Sequence, residues 1–389
     1  MFVLLILIYM AFISLGLPDS LLGAAWPVMR TDLGAGLSMA GAISAVICAG
    51  TVVSSLLSSR VIHRFGTGKV TFVSVFLTAI SLLGISFSGS IALIFLLAVP
   101  LGLGAGSVDA ALNNFVSNHY KAMHMNWLHC FWGLGATAGP IVMSYFIAQN
   151  GQWRKGYGTI AIIQFVLASI LLVTLPLWKK AGSEASEEKK AEFLSNSQAV
   201  KKKGVKAAML AFLCYCGYEV GTTLWAASYL KEQRGLTADK AASWAALVYA
   251  GITIGRFISG IASNKLSSTF LIRLGSAIAA TGLIILILPL PSSACIWGLA
   301  LLGFGAAPFY PSMIHETPRR FGKESSQTIT GLQMASAYIG STCFPPIIGF
   351  LSSVFSLGVF PWILLALAVS ALALSERAEA ATRKESVGA

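Results

Sequence analysis

Runs of about 20 apolar residues recur along almost the whole chain, and no other feature constrains its fold as strongly. An α-helix rises about 1.5 Å per residue, so a run of this length crosses the hydrocarbon core of a bilayer. Only 11% of the 389 residues are charged and 56% are hydrophobic. A soluble domain carries about a quarter charged residues. The sequence therefore predicts an all-α polytopic membrane protein.

Polar or charged segments separate these runs, and we predict twelve transmembrane helices. Their bounds are residues 2–28, 37–58, 69–88, 90–117, 124–148, 157–178, 205–230, 239–262, 269–289, 292–314, 325–352 and 357–375. A charged segment of low complexity, residues 179–204, is predicted to be a cytoplasmic linker. It divides an N-terminal six-helix bundle (1–178) from a C-terminal six-helix bundle (205–375), and a cytoplasmic tail (376–389) follows.

The basic residues indicate orientation. Most of the 27 Lys and Arg residues fall in the linker, the tail and the loops on the same side as both termini. Because basic loops stay inside, we expect both termini to be cytoplasmic in a multi-pass protein of the plasma membrane, the inner membrane of a bacterium. The net charge of +12 then fits contact with the lipid bilayer, and no basic cluster interleaved with aromatics suggests nucleic acid. The six cysteines lie inside apolar runs, which favours packing residues over disulfides or metal ligands.

The two halves resemble each other at an offset of about 200 residues. The segment LGLGAG at 101 matches LGFGAA at 302, and Gly50 matches Gly251. Six spans followed by six in the same direction form a parallel duplication. Many secondary transporters are built this way and hold their substrate near the midplane, between the repeats.

Five ionisable residues are predicted inside spans. Each costs about 2.5–3.5 kcal/mol in hydrocarbon on insertion scales, so each is expected to face a wet cavity or a partner. A carboxyl group there can take up a cation on one side of the membrane and release it on the other. We predict this coupling role, with H⁺ favoured over Na⁺, for Asp19 and Asp109. A fixed hydrogen bond between helices, for example to Asn113 or Arg256, is the alternative for both. The five are Asp19, Asp109, His129, Glu219 and Arg256.

Glu219 is predicted to bind substrate. Tyr215 precedes it by four residues and Thr222 follows by three, so both share its helix face. An acid beside aromatic rings and hydroxyls suits a polyol, and Trp225 extends the aromatic set. The alternative assigns these aromatic residues to lipid-facing or interfacial positions.

Further residues complete the predicted site. For His129 a hydrogen bond to a neighbouring helix is the alternative. Arg256 is predicted to act in a gate, and snorkelling, pairing with an acid and anion binding are its alternatives. Substrate binding is predicted for Asn113, Asn126, His129, Trp132, Tyr310 and Gln333, and a gate or conformational role for Arg60, Arg64, Lys69 and Arg256.

The loop SSRVIHRFGTGKV, between the second and third spans, is similar to the signature loop G-x-x-x-D-R-x-G-R-K of the major facilitator superfamily. Arg64, Gly66 and Lys69 fit the pattern, and His63 stands where the family has an aspartate. The chain resembles this superfamily over essentially its whole length. The resemblance implies a monomer with two six-helix bundles that rock around a central site.

Three segments together resemble the fucose–galactose–glucose symporter branch of that superfamily: GLGAGSVDAALNNFV, NWLHCFWGLGATAGP and YCGYEVGTTLW. The resemblance implies cation-coupled uptake of a sugar or glycoside, with Asp19 and Asp109 as protonation sites.

We therefore predict a secondary transporter that carries a sugar or glycoside with a cation by alternating access. The alternative is a proton-coupled exporter of drugs or amphiphilic metabolites. No metalloprotease, nucleophile-elbow or phosphate-loop motif occurs. No enzyme activity, catalytic residue, cofactor or metal site is predicted; the expected partners are the small-molecule substrate, the coupling ion and the lipid bilayer.

Overall fold

The computed structural model describes residues 2–120, 122–182 and 196–387, and helices account for nearly all of them. A segment inside a bilayer satisfies its backbone hydrogen bonds along its own helix, because hydrocarbon offers none. No β-strand occurs within the described ranges, which confirms the all-α class. The helices are α1 (Phe2–Asp19), α2 (Leu21–Asp32), α3 (Met39–Phe65), α4 (Thr67–Ser86), α5 (Ile91–His119), α6 (Ala122–Ala148), α7 (Trp153–Val173), α8 (Leu175–Gly182), α9 (Asn196–Lys201), α10 (Val205–Arg234), α11 (Ala238–Ala262), α12 (Ser268–Ile287), α13 (Ala294–Ala306), α14 (Phe309–Phe321), α15 (Lys323–Val354) and α16 (Phe360–Val387).

Eleven segments of the described chain are helical, long and apolar enough to cross a membrane. A shorter apolar stretch, Met39–Ser55, lies in α3, where the second of the twelve spans was predicted. The multi-pass helical architecture is thus confirmed, with eleven full-length spans and one shorter apolar helix. The orientation of the termini stays a prediction.

Proline interrupts two of the spans. Pro18 lies one residue before the end of α1, and α2 begins after the single residue Ser20. Pro308 separates α13 from α14 in the same way. Proline lacks the N–H that a helix interior needs, and its ring crowds the preceding turn. A third break, between α7 and α8 at Thr174, was not predicted.

The described helices form two compact units. Within the described ranges, unit 1 comprises residues 1–187 and 224–249, and unit 2 comprises residues 188–223 and 250–389. Helices α10 and α11 therefore contribute to both units. Residues 183–195 of the predicted linker lie outside the described residues, and α9 lies in its last part. The predicted boundaries at 178, 205 and 375 stay predictions.

Matching glycines make matching contacts in the two units, which supports the duplication. A Cβ atom added to Gly50 of α3 would lie 3.1 Å from Val99 O of α5. In unit 2, a Cβ atom on Gly251 of α11 would lie 2.5 Å from Ala300 O of α13. Gly251 and Ala300 occupy the positions that the offset of about 200 residues assigns to Gly50 and Val99.

A second pair of glycines repeats the correspondence. A Cβ atom on Gly104 of α5 would lie 2.7 Å from Ser74 O of α4. On Gly305 of α13 it would lie 2.4 Å from Gly275 O of α12. In both units, therefore, helices approach through the same register, and only a hydrogen atom fits at the contact.

All six cysteines are free thiols, as their positions inside apolar runs predicted.

Candidate functional site

The first part of the site lies in unit 1, at the end of α1. Asp19 is exposed although it sits in an apolar segment. Trp132 of α6 donates a hydrogen bond from Nε1 to Asp19 Oδ2 over 2.8 Å. The sequence predicted a role for each of these residues but did not predict that they pair.

Glycines bring α1 and α6 close enough for this bond. A Cβ atom on Gly135 would lie 1.9 Å from Ile13 O, and one on Gly16 would lie 2.1 Å from Trp132 O. Larger side chains would push the helices apart. This close approach fixes the backbone of Trp132 beside the end of α1.

Asp109 is the second acid of unit 1, and it is partly buried in α5. Asn113, one turn later, donates from Nδ2 to Asp109 Oδ1 over 2.8 Å and to the Asp109 carbonyl over 3.0 Å. Asn113, which was predicted to bind substrate, therefore forms hydrogen bonds with Asp109 in this structure.

Neither of these acids forms an ion pair with a residue in the described part of the chain. The described partners of both carboxyl groups are N–H donors. Such donors stabilise a carboxylate without compensating its charge as a basic side chain would.

His129 of α6 lies in unit 1 against the edge of Phe12, with 5.9 Å between ring centroids. In the same unit, the ring of Tyr9 stacks on that of Phe131 with 4.5 Å between centroids. The Tyr9 hydroxyl forms a hydrogen bond with His124 Nδ1 over 2.9 Å. Tyr9 and His124 were not among the site residues predicted from the sequence. A hydroxyl in the first span and a histidine near the start of the fifth were the available signals.

The second part of the site lies in unit 2, where Arg256 of α11 pairs with Glu219 of α10. The distance from Arg256 Nη2 to Glu219 Oε1 is 3.3 Å. The side chains are 21% and 15% exposed, so both are largely withdrawn from solvent. Pairing with an acid was one of the alternatives for Arg256, and this pair is present in the structure.

Tyr215 lies beside both members of this pair. Its side chain is fully buried, and its ring stacks parallel to that of Phe309 with 4.8 Å between centroids. Tyr310 closes the aromatic cluster at 6.3 Å from Tyr215. The Tyr215 hydroxyl has no hydrogen-bonding partner of normal geometry among the described residues. A buried hydroxyl without a partner costs about 1–3 kcal/mol.

The other predicted substrate residues of unit 2 have local partners. Thr222 donates to the Tyr218 carbonyl over 2.6 Å, within its own helix. The Tyr310 hydroxyl donates to Met334 Sδ over 2.6 Å. Gln333 of α15 is buried and accepts a hydrogen bond from Thr317 over 3.0 Å.

Trp225 is fully buried in the part of α10 that belongs to unit 1. Of the predicted gate residues, Arg64 near the end of α3 and Lys69 near the start of α4 are exposed. The Arg64 guanidinium lies 5.5 Å from the centre of the Phe65 ring. The side chains of Arg60 and Asn126 lie outside the described part of the structure.

An ion pair that was not predicted joins two elements of unit 1. Arg30 near the end of α2 pairs with Glu232 near the end of α10. Next to it, Lys231 Nζ donates to the Pro27 carbonyl over 2.6 Å. Opposite charges at the predicted outer ends of the first and seventh spans were the signal in the sequence.

Comparison with known proteins assigns the chain to a family. The model of the Major Facilitator Superfamily matches residues 8–341. The cis,cis-muconate transport protein of Acinetobacter baylyi is 23% identical over 82% of this chain and 80% of its own length. The hexuronate transporter of Bacillus subtilis is 25% identical over 64% of this chain and 62% of its own.

Solved structures show the same fold. A D-xylose–proton symporter superposes with a TM-score of 0.71 at 15% identity and covers 96% of this chain and 97% of its own. The relatives are named as transporters and not as enzymes. This chain belongs to the Major Facilitator Superfamily and is a multi-pass membrane transporter.

Proposed function

We propose that the chain is a secondary active transporter that takes up a small hydroxylated solute together with a cation by alternating access. The solute is a sugar, a glycoside or a sugar acid, and the cation binds at Asp19 and Asp109. The observation that carries the proposal is that unit 1 holds two carboxyl groups within apolar helices, Asp19 and Asp109, whose hydrogen-bonding partners among the described residues are N–H donors.

A proton is the coupling ion that suits this arrangement best. An ionised acid inside a membrane protein is costly, and protonation removes its charge. A bound Na⁺ would need several oxygen ligands, whereas Trp132 and Asn113 offer N–H groups to the two acids. Uptake and release of a proton then requires no rebuilding of the site beyond breaking one or two hydrogen bonds.

Two kinds of support favour the solute class. Three sequence segments resemble the fucose–galactose–glucose symporter branch, and one relative is named a hexuronate transporter. In unit 2, Glu219 lies beside Tyr215, whose ring contacts those of Phe309 and Tyr310. Acids next to aromatic rings suit hydroxylated solutes. The proposal includes a cytoplasmic location for both termini and function as a monomer in the plasma membrane.

The test is uptake into proteoliposomes under an imposed pH gradient, with and without Na⁺. Asp19→Asn and Asp109→Asn should each abolish concentrative uptake while counterflow down the solute gradient persists, because an amide cannot carry the proton. Asp32→Asn is the matched control: Asp32 also accepts an indole N–H, from Trp153 over 3.1 Å, but lies at the end of α2 beside Arg154. Concentrative uptake by either of the first two variants would disprove the coupling role.

Export of drugs or amphiphilic metabolites is the second candidate, and the apolar aromatic cluster around Tyr215 favours it. Everted vesicles separate the two. Alkalinisation of the medium on addition of the solute supports symport, and proton efflux driven by a drug supports antiport.

A further inference from the structure

We propose that Arg256, together with Tyr215, binds the carboxylate group of the substrate, and that this carboxylate displaces Glu219 from the arginine. The ligand class is thereby narrowed to small organic acids, such as hydroxylated sugar acids. The inference rests on the proposed function and names the substrate class of the same transporter. All three residues belong to unit 2.

The Arg256–Glu219 pair is looser than other ion pairs of unit 2. Its closest contact is 3.3 Å. Arg273 and Glu376 approach to 2.8 Å and 2.6 Å through two nitrogen atoms. Charge-assisted N–H···O bonds are normally about 2.7–2.9 Å long. A pair held beyond that distance is easier to exchange for another carboxylate.

The Tyr215 hydroxyl is the second observation. It is buried beside the pair and has no hydrogen-bonding partner of normal geometry among the described residues. A phenol can donate one hydrogen bond, and a carboxylate offers two oxygen atoms. A substrate carboxylate can place one oxygen on the Arg256 guanidinium and the other on Tyr215 Oη, which gives that hydroxyl a hydrogen bond of normal geometry.

Charge explains why the site favours an acid over a neutral sugar. A guanidinium withdrawn from solvent requires a negative partner, and Glu219 supplies it in this structure. A neutral hydroxyl cannot replace that charge, but a carboxylate can. Displaced Glu219 takes up a proton from solvent, so that one negative charge again lies beside Arg256. The neutral carboxyl group of Glu219 then bonds to the hydroxyl groups of the same solute, which agrees with its predicted role.

The aromatic cluster fits the rest of such a ligand. Tyr215 and Phe309 form a parallel stack, and Phe212 lies edge-on to Tyr310 at 5.3 Å. Rings of this kind present apolar faces and exclude water, which strengthens the electrostatic contact beside them.

The experiment measures ligand-dependent melting temperatures of the purified protein with three probes: D-glucuronate, cis,cis-muconate and D-glucose. A ligand that binds the native state raises the melting temperature. At least one of the two carboxylates should raise it, and D-glucose should raise it less at equal concentration. If neither carboxylate does so, or if D-glucose binds as tightly, the inference is wrong.

Two variants assign the contacts. The double variant Arg256→Gln/Glu219→Gln removes both charges together, so no unpaired charge stays buried, and should bind the carboxylate at least about tenfold more weakly. Tyr215→Phe should weaken binding about tenfold. It should not lower the melting temperature without ligand, because it removes an unsatisfied hydroxyl. Tyr218→Phe, a buried tyrosine on the same helix, is the control and should bind normally.

Two outcomes overturn the assignment to these residues. One is unchanged carboxylate binding by the double variant. The other is a Tyr215→Phe protein that melts earlier without ligand yet binds normally, which would give the hydroxyl a structural role. Failure of the proposed function is distinguishable: Asp19→Asn should lose concentrative uptake but keep the carboxylate-dependent rise in melting temperature.

Discussion

At the scale of single residues, the acids of unit 1 and the acid of unit 2 have different partners. In unit 1, Asp19 and Asp109 are held by an indole and an amide N–H. In unit 2, Glu219 is compensated by the guanidinium of Arg256. An acid without a basic partner can exchange a proton at the cost of a hydrogen bond, whereas an acid paired to arginine gives up a much larger interaction. This contrast is the reason that we propose cation coupling in unit 1 and solute recognition in unit 2.

The bond between Trp132 and Asp19 leads to a residue-scale prediction. Trp132→Phe keeps an aromatic ring but removes the N–H donor. A hydrogen bond to a charged group contributes about 1.5–3 kcal/mol, so concentrative uptake should slow by about tenfold or more. Initial rates in proteoliposomes under a fixed pH gradient measure this.

Trp153→Phe provides the matched control, since Trp153 makes the corresponding bond to Asp32. Its uptake rate should stay within about twofold of the unaltered protein. Equal slowing in both variants would mean that loss of an indole, and not loss of the Asp19 bond, limits transport.

At the scale of the helices, small residues decide which elements approach and therefore which side chains meet. The contact of α1 with α6 passes through Gly16 and Gly135, where a Cβ atom would lie about 2 Å from a backbone oxygen. The contact of α3 with α5 uses Gly50, and that of α11 with α13 uses Gly251. In lipid there is little hydrophobic force between helices, so such close van der Waals contacts hold them together.

Gly135→Ala should consequently separate α1 from α6. We expect a lower melting temperature and a slower concentrative uptake, because Trp132 would move away from Asp19. Gly331→Ala in α15 is the matched control, since a Cβ atom there meets no other atom within 4 Å. There the change should be neutral or stabilising by about 0.5–1 kcal/mol through helix propensity. Equal melting of both variants would show that the α1–α6 contact is not tight.

At the scale of the whole molecule, the chain is a multi-pass transporter with an internal duplication. The contacts of Gly50 and Gly104 in unit 1 recur at Gly251 and Gly305 in unit 2. A parallel repeat is expected to insert both halves in the same direction, and we predict that the basic loops of both halves lie on the same side of the membrane. That side is predicted to be the cytoplasm.

Labelling with a membrane-impermeant maleimide tests the orientation in a variant without its native cysteines. Gly36→Cys, in the loop between α2 and α3, should react in intact cells, and space around Gly36 admits the side chain. Ser386→Cys, near the C-terminus, should react only after the membrane is opened. The reverse pattern would place both termini outside.

The sequence by itself determined the membrane class, the helical architecture, the duplication and the residues that carry charge into the spans. These properties depend on local sequence: on the length of each apolar run, on its periodicity and on the charge of the loops. They do not depend on which other helices pack against the segment. The break after Pro18 and the close approach through Gly135 were predictable for the same reason.

Only the tertiary structure decided which of those residues meet. Trp132 and Asp19 are 113 positions apart, and Arg256 and Glu219 are 37 apart. Whether two such side chains touch depends on the rotation of each helix about its axis and on the depth at which helices cross. Many packing contacts set these quantities together, and no single stretch of sequence contains them. The sequence placed the charges in the spans, and the packing of the helices gave each its partner.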